Sequence, residues 1–232
     1  MAGVDHDDVA VGSVLGAHEH APDLCSSRDI VAALRWRFPT PRLVISSASV
    51  GGGIGPRDWV LNAQVPQDYA RTDLGAHVGE LAAALGCTGT GIGMLTAAPV
   101  EKVRGATDGG VHCFATVGVR DPTWAAADAP SGATDDGRRP GTINLVAFVP
   151  VPLTDDALVN AVATATEAKS QALFETRIAG TGTASDAVCV CCPTTGDAAR
   201  FAGPRSEWGA RLARSVHRAV LAGLVLPGGR RG

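Results

Sequence analysis

An α+β fold is what this sequence predicts: a mostly antiparallel or mixed central sheet of about six strands with about four packed helices. Three observations carry that expectation. Short apolar, β-branched runs recur at RLVIS (42–46), WVLNAQV (59–65), GIGMLTAA (91–98), VHCFATVGV (111–119), TINLVAFV (142–149) and DAVCVCC (186–192). Segments with helical spacing stand between some of them, without the regular βαβα alternation of a doubly wound sheet. The 232 residues are 45% hydrophobic but only 4% aromatic, which suits one core finely packed from Ala, Val, Gly and Thr.

Each element has a local reason. Residues 1–26 are rich in Asp, His, Gly and Ala and read as a mobile leader. Ser27 caps an expected helix SRDIVAALRW, with Ile30, Val31 and Leu34 on one side, ended by Phe38-Pro39. Strands 42–46 and 59–65 follow. Thr72 or Asp73 opens a helix carrying Leu74, Val78, Leu81 and Leu85, with Gly86 at its C-terminal cap. Three strands come next, and the Gly/Asp/Ala/Pro-rich loop 121–140 separates the last two. Thr154 caps a long helix whose inward stripe is Leu158, Ala161, Val162, Ala165, Ala168, Ala172 and Leu173. After the sixth strand a last helix begins near Arg205, with Leu212, Val216, Ala219 and Val220 inward and Arg211, Arg214 and Arg218 on another face. No linker divides the chain, so residues 27–226 form a single domain, and 227–232 fray as a tail.

Composition also excludes. A net charge of −3 argues against nucleic acid as a partner, because phosphate-neutralising surfaces are basic. No apolar run approaches the ~18 residues of a membrane span, and MAGVDHDDVAVGS lacks the basic flank and apolar stretch of a secretory signal. Of Cys25, Cys87, Cys113, Cys189, Cys191 and Cys192, three crowd into one short segment, where Cys189 and Cys192 make a single C-x-x-C spacing with no second pair to match it; the six read as buried, reduced thiols of a cytoplasmic protein, with no metal site.

Small and polar residues cluster where apolar strands end. SSASVGGGIG (46–55) offers Gly51, Gly52 and Gly53, whose backbone N–H groups can approach a ligand oxygen; the alternative is a wide turn. Asn62 interrupts an apolar strand and must be satisfied or face a cavity. Thr96 and Thr116 sit in strands and can equally be structural. Thr142 and Asn144 share a strand face. In TATEAKSQAL, Glu167 and Lys169 stand two apart, either as solvated charges or with one of them looking into a site. GTGTASDAV (180–188) holds Gly182, Thr183, Ser185 and Asp186: turn caps on one reading, a hydroxyl and a carboxylate at the mouth of the sheet on the other. For His77, His112 and His217 the sequence spacing suggests no catalytic pairing, and no G-x-S-x-G elbow supports a serine triad.

In order, ISSASVGGGIG, VLNAQV, GMLTAA, ATVGV, GTINLVAFV, TATEAKSQAL, GTGTASDAV and FAGPRSEWG resemble the adenosylcobinamide amidohydrolase family, from about residue 42 to about 224. Family members usually carry Thr where Ser185 stands, which keeps a hydroxyl. The resemblance implies hydrolysis of the amide joining the aminopropanol arm to an adenosylated corrinoid, giving adenosylcobyric acid and 1-amino-2-propanol. The sequence itself shows no required cofactor; the substrate carries the cobalt. The residues fit that chemistry in assigned roles. Asp186, with Glu167, handles protons; Thr183 or Thr142 is the nucleophile or positions water. Asn62, Asn144 and the glycine loop bind the oxyanion or corrin amides, with Thr96, Thr116 and Gly182 lining the site. Trp59 and Trp124 are candidates to cover apolar corrin or adenine surface, with ordinary packing as the alternative. A rival reading is a corrinoid- or nucleotide-binding module without catalysis; a homodimer is a further expectation.

Overall fold

Strands β3 (Ala33–Ser46) and β4 (Gly53–Gln64) make one long antiparallel hairpin, and the rest of the molecule is arranged around its two halves. The computed structural model describes residues 10–13, 20–26, 32–128 and 141–224. The first half of β3 pairs with β2 (Asp23–Ser26), which β1 (Ala10–Ser13) extends. The second half of β4 pairs in parallel with β5 (Gly91–Thr96). The second half of β3 instead pairs with β9 (Ala187–Cys192). From there the sheet runs through β8 (Thr142–Phe148), β7 (Val111–Gly118) and β6 (Arg104–Asp108).

These nine strands form one mixed sheet folded into two facing leaflets. Pairing of β3 with β4 breaks register between Arg37 and Arg42. Pro39 and Pro41 fall in that break, where the missing N–H groups cost no ladder bond.

Alternation along each strand builds the layers. On β8, Ile143, Leu145 and Ala147 face the helices, while Val146 and Phe148 face the other leaflet. Helix α1 (Leu74–Ala84) connects β4 to β5 and packs Val78, Leu81 and Ala82 over Trp59, Leu61 and Ala63. Helix α2 (Asp155–Glu175) connects β8 to β9, and α3 (Glu207–Leu224) lies beside it; together they cover the opposite face. The order is therefore helix, leaflet, leaflet, helix pair. All the expected inward residues of α2 are buried except Val162, which is half-buried. Gly86 has φ +66°, the left-handed value its expected cap position demands.

Several expectations are corrected. Nine strands and, among the described residues, three α-helices replace about six and about four. Residues 33–36 of the expected first helix are strand, and β3 runs on through Phe38-Pro39. Pairing on both edges, and alternation of Ala33 and Arg35 against Leu34 and Trp36, override the helical propensity of the alanines. Residues 27–31, including the Ser27 cap, lie outside the described residues, as do 129–140 of the long loop and the tail 227–232. Part of the expected leader is sheet: Asp23 of β2 accepts an ion-paired hydrogen bond from Arg35 at 2.9 Å. Thr154 occupies the N-cap of α2 but makes no side-chain capping bond.

Candidate active site

Between the leaflets, at the end where β8 begins, lies a cavity of about 470 Å³. Its walls come from the β3–β4 turn (Ser47 to Val50), from β5 and the residue after it, from Tyr69, and from Thr142, Asn144, Ser185 and Asp186. The topology makes this convergence. β8 and β9 are parallel neighbours joined through α2, so the start of β8 and the loop entering β9 meet at one edge. β5 faces them from the other leaflet.

Asp186 organises the edge. Its Oδ1 accepts from the Ile143 backbone N–H at 2.8 Å and contacts the Thr183 hydroxyl; its Oδ2 accepts from the Thr183 N–H at 3.1 Å and from Lys169 Nζ. Lys169 reaches down from α2 and is 5% exposed. A buried ammonium requires such a partner, because neither charge is tolerable alone away from water. Gly182 is a matter of space: a Cβ there would overlap both Asp186 Oδ2 and Lys169 Nζ. The Thr183 hydroxyl carries one proton and has two acceptors in reach, Asp186 Oδ1 and the Gly141 carbonyl at 2.7 Å. Nearby, Thr142 Oγ1 and Ser185 Oγ are 2.8 Å apart, and Ser185 donates to the same Gly141 carbonyl at 3.2 Å.

From Asn144 in the cavity wall a buried amide chain runs inward. Asn144 Nδ2 donates to Asn62 Oδ1 at 2.8 Å, and Asn62 Nδ2 donates to Thr116 Oγ1 at 2.7 Å. These three residues tie β8, β4 and β7 together across the leaflets. Thr96 is buried on the cavity wall and accepts the Ala98 N–H at 3.0 Å.

The structure thus brings Thr142, Asn144, Asp186 and Thr96 to one cavity, with Thr183, Gly182, Asn62 and Thr116 directly behind it. It removes others. Glu167 is exposed on α2, while Lys169 turns inward, so the acid of that pair does not line the cavity. Gly51, Gly52 and Gly53 do not line the cavity. They form the hairpin turn, where Gly51 (φ +73°) packs so close to the Gly91 carbonyl that a Cβ would overlap it. Trp59 packs on the α1 side, and Trp124 is exposed. The casting of Asn62 and Asn144 as oxyanion donors also changes, since both hydrogens of Asn144 Nδ2 are committed, to Asn62 and to the Leu95 carbonyl at 3.3 Å. His112 is buried against Thr107, and His217 pairs with Glu175. Among the described residues, no cluster of His, Cys, Asp and Glu is placed to hold a metal ion.

Sequence reasoning held Lys169 and Ser185 only as open alternatives for the site, and it did not single out Tyr69. Lys169 left a signal: it stands four residues after Ala165 and three before Ala172, inside the inward stripe of α2. Tyr69, whose hydroxyl meets His77 Nδ1 at 2.6 Å, left none.

A cavity walled by hydroxyls, with an ion-paired carboxylate at its edge, is the equipment of a hydrolase acting on an acyl bond. The comparisons narrow this. The sequence profile described as adenosylcobinamide amidohydrolase matches residues 21–231. The chain is 37% identical over 183 residues to the adenosylcobinamide amidohydrolase of Halobacterium salinarum, covering 77% of this chain and 78% of that one. It is 29% identical over 191 residues to the protein of the same name in Methanosarcina mazei, covering 78% and 90%. The chain belongs to the adenosylcobinamide amidohydrolase family.

Proposed function

We propose that this protein hydrolyses the amide joining the aminopropanol arm to the corrin of adenosylcobinamide, releasing adenosylcobyric acid and 1-amino-2-propanol, and that the cavity at the start of β8 is where the bond is cut. The observation that carries the site is the meeting of Thr142, Ser185 and Asp186 on one wall, from segments more than 40 residues apart in sequence. A cavity of about 470 Å³ admits the amide arm and leaves the macrocycle at its mouth, beside Ser49, Gln67 and Tyr69.

In this reading Thr142 and Ser185 hold a water against the scissile carbonyl carbon. Asp186 takes its proton through Oδ1. That proton has a place ready: once Thr183 donates its own hydrogen to the Gly141 carbonyl, its oxygen can accept from a protonated Asp186. The water oxygen bonds to the carbonyl carbon, the C–N bond breaks, and the proton passes to the leaving nitrogen. Lys169 keeps the carboxylate in position between turnovers. The reaction so drawn uses protein side chains, with the cobalt belonging to the substrate. None of the described helices is long and apolar enough to cross a membrane.

Incubation with adenosylcobinamide, followed by quantification of free 1-amino-2-propanol, tests the reading. Stoichiometric release is expected. Binding of intact substrate without release supports a binding module and overturns it. Thr142→Val should lower kcat by about 10² or more, and Thr142→Ser should retain most of it.

A further inference from the structure

A second, smaller cavity of about 250 Å³ adjoins the first. Val65, Pro66, Gln67, Ala97 and Thr142 line both. Gly141 belongs to the second wall, and its carbonyl is the one that accepts from Thr183 and Ser185, so both cavities border the same polar cluster. The second wall also carries the apolar Ala98 and Pro99 and the cation Arg120. The fold puts Arg120 there. Thr142 pairs across the β7–β8 ladder with Gly118, two residues before Arg120. The Arg120 backbone lies so close to Gly141 that a Cβ on the glycine would come within 2.9 Å of its nitrogen. Arg120 is exposed, so a ligand in the cavity can reach it. Its Nη1 donates to Gln67 Oε1 at 3.0 Å, which holds the guanidinium at the wall the two cavities share. A guanidinium has about five N–H donors and no acceptor, so it asks for an oxygen.

We infer that the second cavity receives the amine half of the substrate, the aminopropanol arm, and that Arg120 recognises the hydroxyl of that arm; this rests on the amide-hydrolase reading above. A hydrolysed amide has two halves, which part at the scissile bond. With that bond at Thr142, one half falls in each of the cavities that Thr142 lines. The acyl half is tethered to the macrocycle and needs the larger cavity and its mouth. The smaller cavity is left for the amine. Size agrees: a water's share of liquid volume is about 30 Å³, and 1-amino-2-propanol amounts to about five such shares. Chemistry agrees as well. The arm is a short methylated chain bearing a hydroxyl, and the cavity offers Val65, Ala98 and Pro99 to the carbon and Arg120 to the oxygen. The hydroxyl oxygen accepts from the guanidinium, a charge-assisted bond about twice as strong as a neutral one. An arm without the hydroxyl sets only carbon against the cation and displaces its water with nothing in return.

The test compares adenosylcobinamide with an analogue whose arm is propylamine, hydrogen replacing the hydroxyl, using unmodified protein, Arg120→Leu and Arg120→Lys. The unmodified protein should prefer the hydroxyl-bearing arm by about tenfold or more in kcat/KM. Arg120→Leu should lose about tenfold on adenosylcobinamide and less than about threefold on the analogue, so that the preference collapses. Arg120→Lys keeps a charged donor and should retain part of the preference. A merely structural role for Arg120 would lower both substrates alike. Equal losses on the two substrates, or no preference in the unmodified protein, overturn the assignment while leaving the hydrolase reading intact. Release of amine from neither substrate by the unmodified protein overturns both readings.

Discussion

The space between the two leaflets has two unlike ends. At one, Trp36, Phe114 and Phe148 crowd together with Val103 and Leu34, the Phe114 and Phe148 rings 6.1 Å apart and edge to face. At the other, the same strands present Thr116, Asn144 and Thr142. On β7 the change from ring to hydroxyl takes two residues, Phe114 to Thr116; on β8 the face runs Phe148, Val146, Asn144, Thr142. A strand face that is apolar for half its length and hydrogen-bonded for the rest divides the labour. One end holds the leaflets together by burial, and the other holds a small set of polar atoms in fixed orientation. Substitutions at the two ends should therefore fail in different ways.

The largest effect is expected at Asp186. Asp186→Asn should lower kcat by about 10³ and, by leaving Lys169 buried without a counter-charge, destabilise the fold by about 3 kcal/mol. Adding Lys169→Met should restore much of the stability and none of the activity, separating the two roles in denaturant titrations and product assays. At the apolar end, Phe148→Ala should cost about 3–5 kcal/mol while the folded fraction keeps kcat/KM within about threefold. Comparable loss of specific activity would show that the ends are not independent.

Gly182→Ala lies between these. Its methyl group would push Asp186 from Lys169, and kcat should fall about tenfold with little change in KM. Gly53→Ala is its control: φ is +90° but nothing lies within 4 Å, so about 1 kcal/mol of strain should appear without loss of turnover.

The smallest expected effects are in the pH dependence of stability. Burial pushes the Cys113 thiol well above its ordinary value of 9.0. The fold thus favours the neutral thiol, and that contribution is complete below pH 9 and lost as pH rises towards the raised value. Cys113→Ala should flatten the alkaline fall in Tm. On the acid side, the Arg214 guanidinium beside Asp108, with Arg218, holds its carboxyl below the usual range. That contribution is present at neutral pH and lost as pH falls through the lowered value. Being at the surface, it amounts to about 0–1 kcal/mol in Asp108→Asn.

What the sequence made legible follows the same division. Strands β4, β5, β7, β8 and β9 were readable because apolar runs bounded by Gly, Pro and Asp have few other uses. The start of β3 was not, because ALRW obeys helical and strand spacing alike and only its partners decide. β6, RGATD, is a short polar strand with little apolar signal, and its place comes from pairing with β7. In the site, Asp186, Thr142 and Asn144 stood out as polar residues at the ends of apolar runs. Glu167 drew attention as an acid near Lys169, but a charge on a helix is assigned inward or outward by its angle from the buried stripe. That rule selects Lys169. The glycines at 51–53 were legible as backbone with unusual freedom, and two of the three have positive φ. Glycine serves a hairpin turn as readily as an anion site, and the difference lies in what faces it.

The central claim is that the amide is cut at the polar end of the interleaflet space. The most direct measurement is a crystal structure of the Asp186→Asn protein with intact adenosylcobinamide. Expected is the scissile carbonyl carbon within about one water of Thr142 Oγ1. An arm seated anywhere else, with Thr142 and Ser185 untouched, would contradict it.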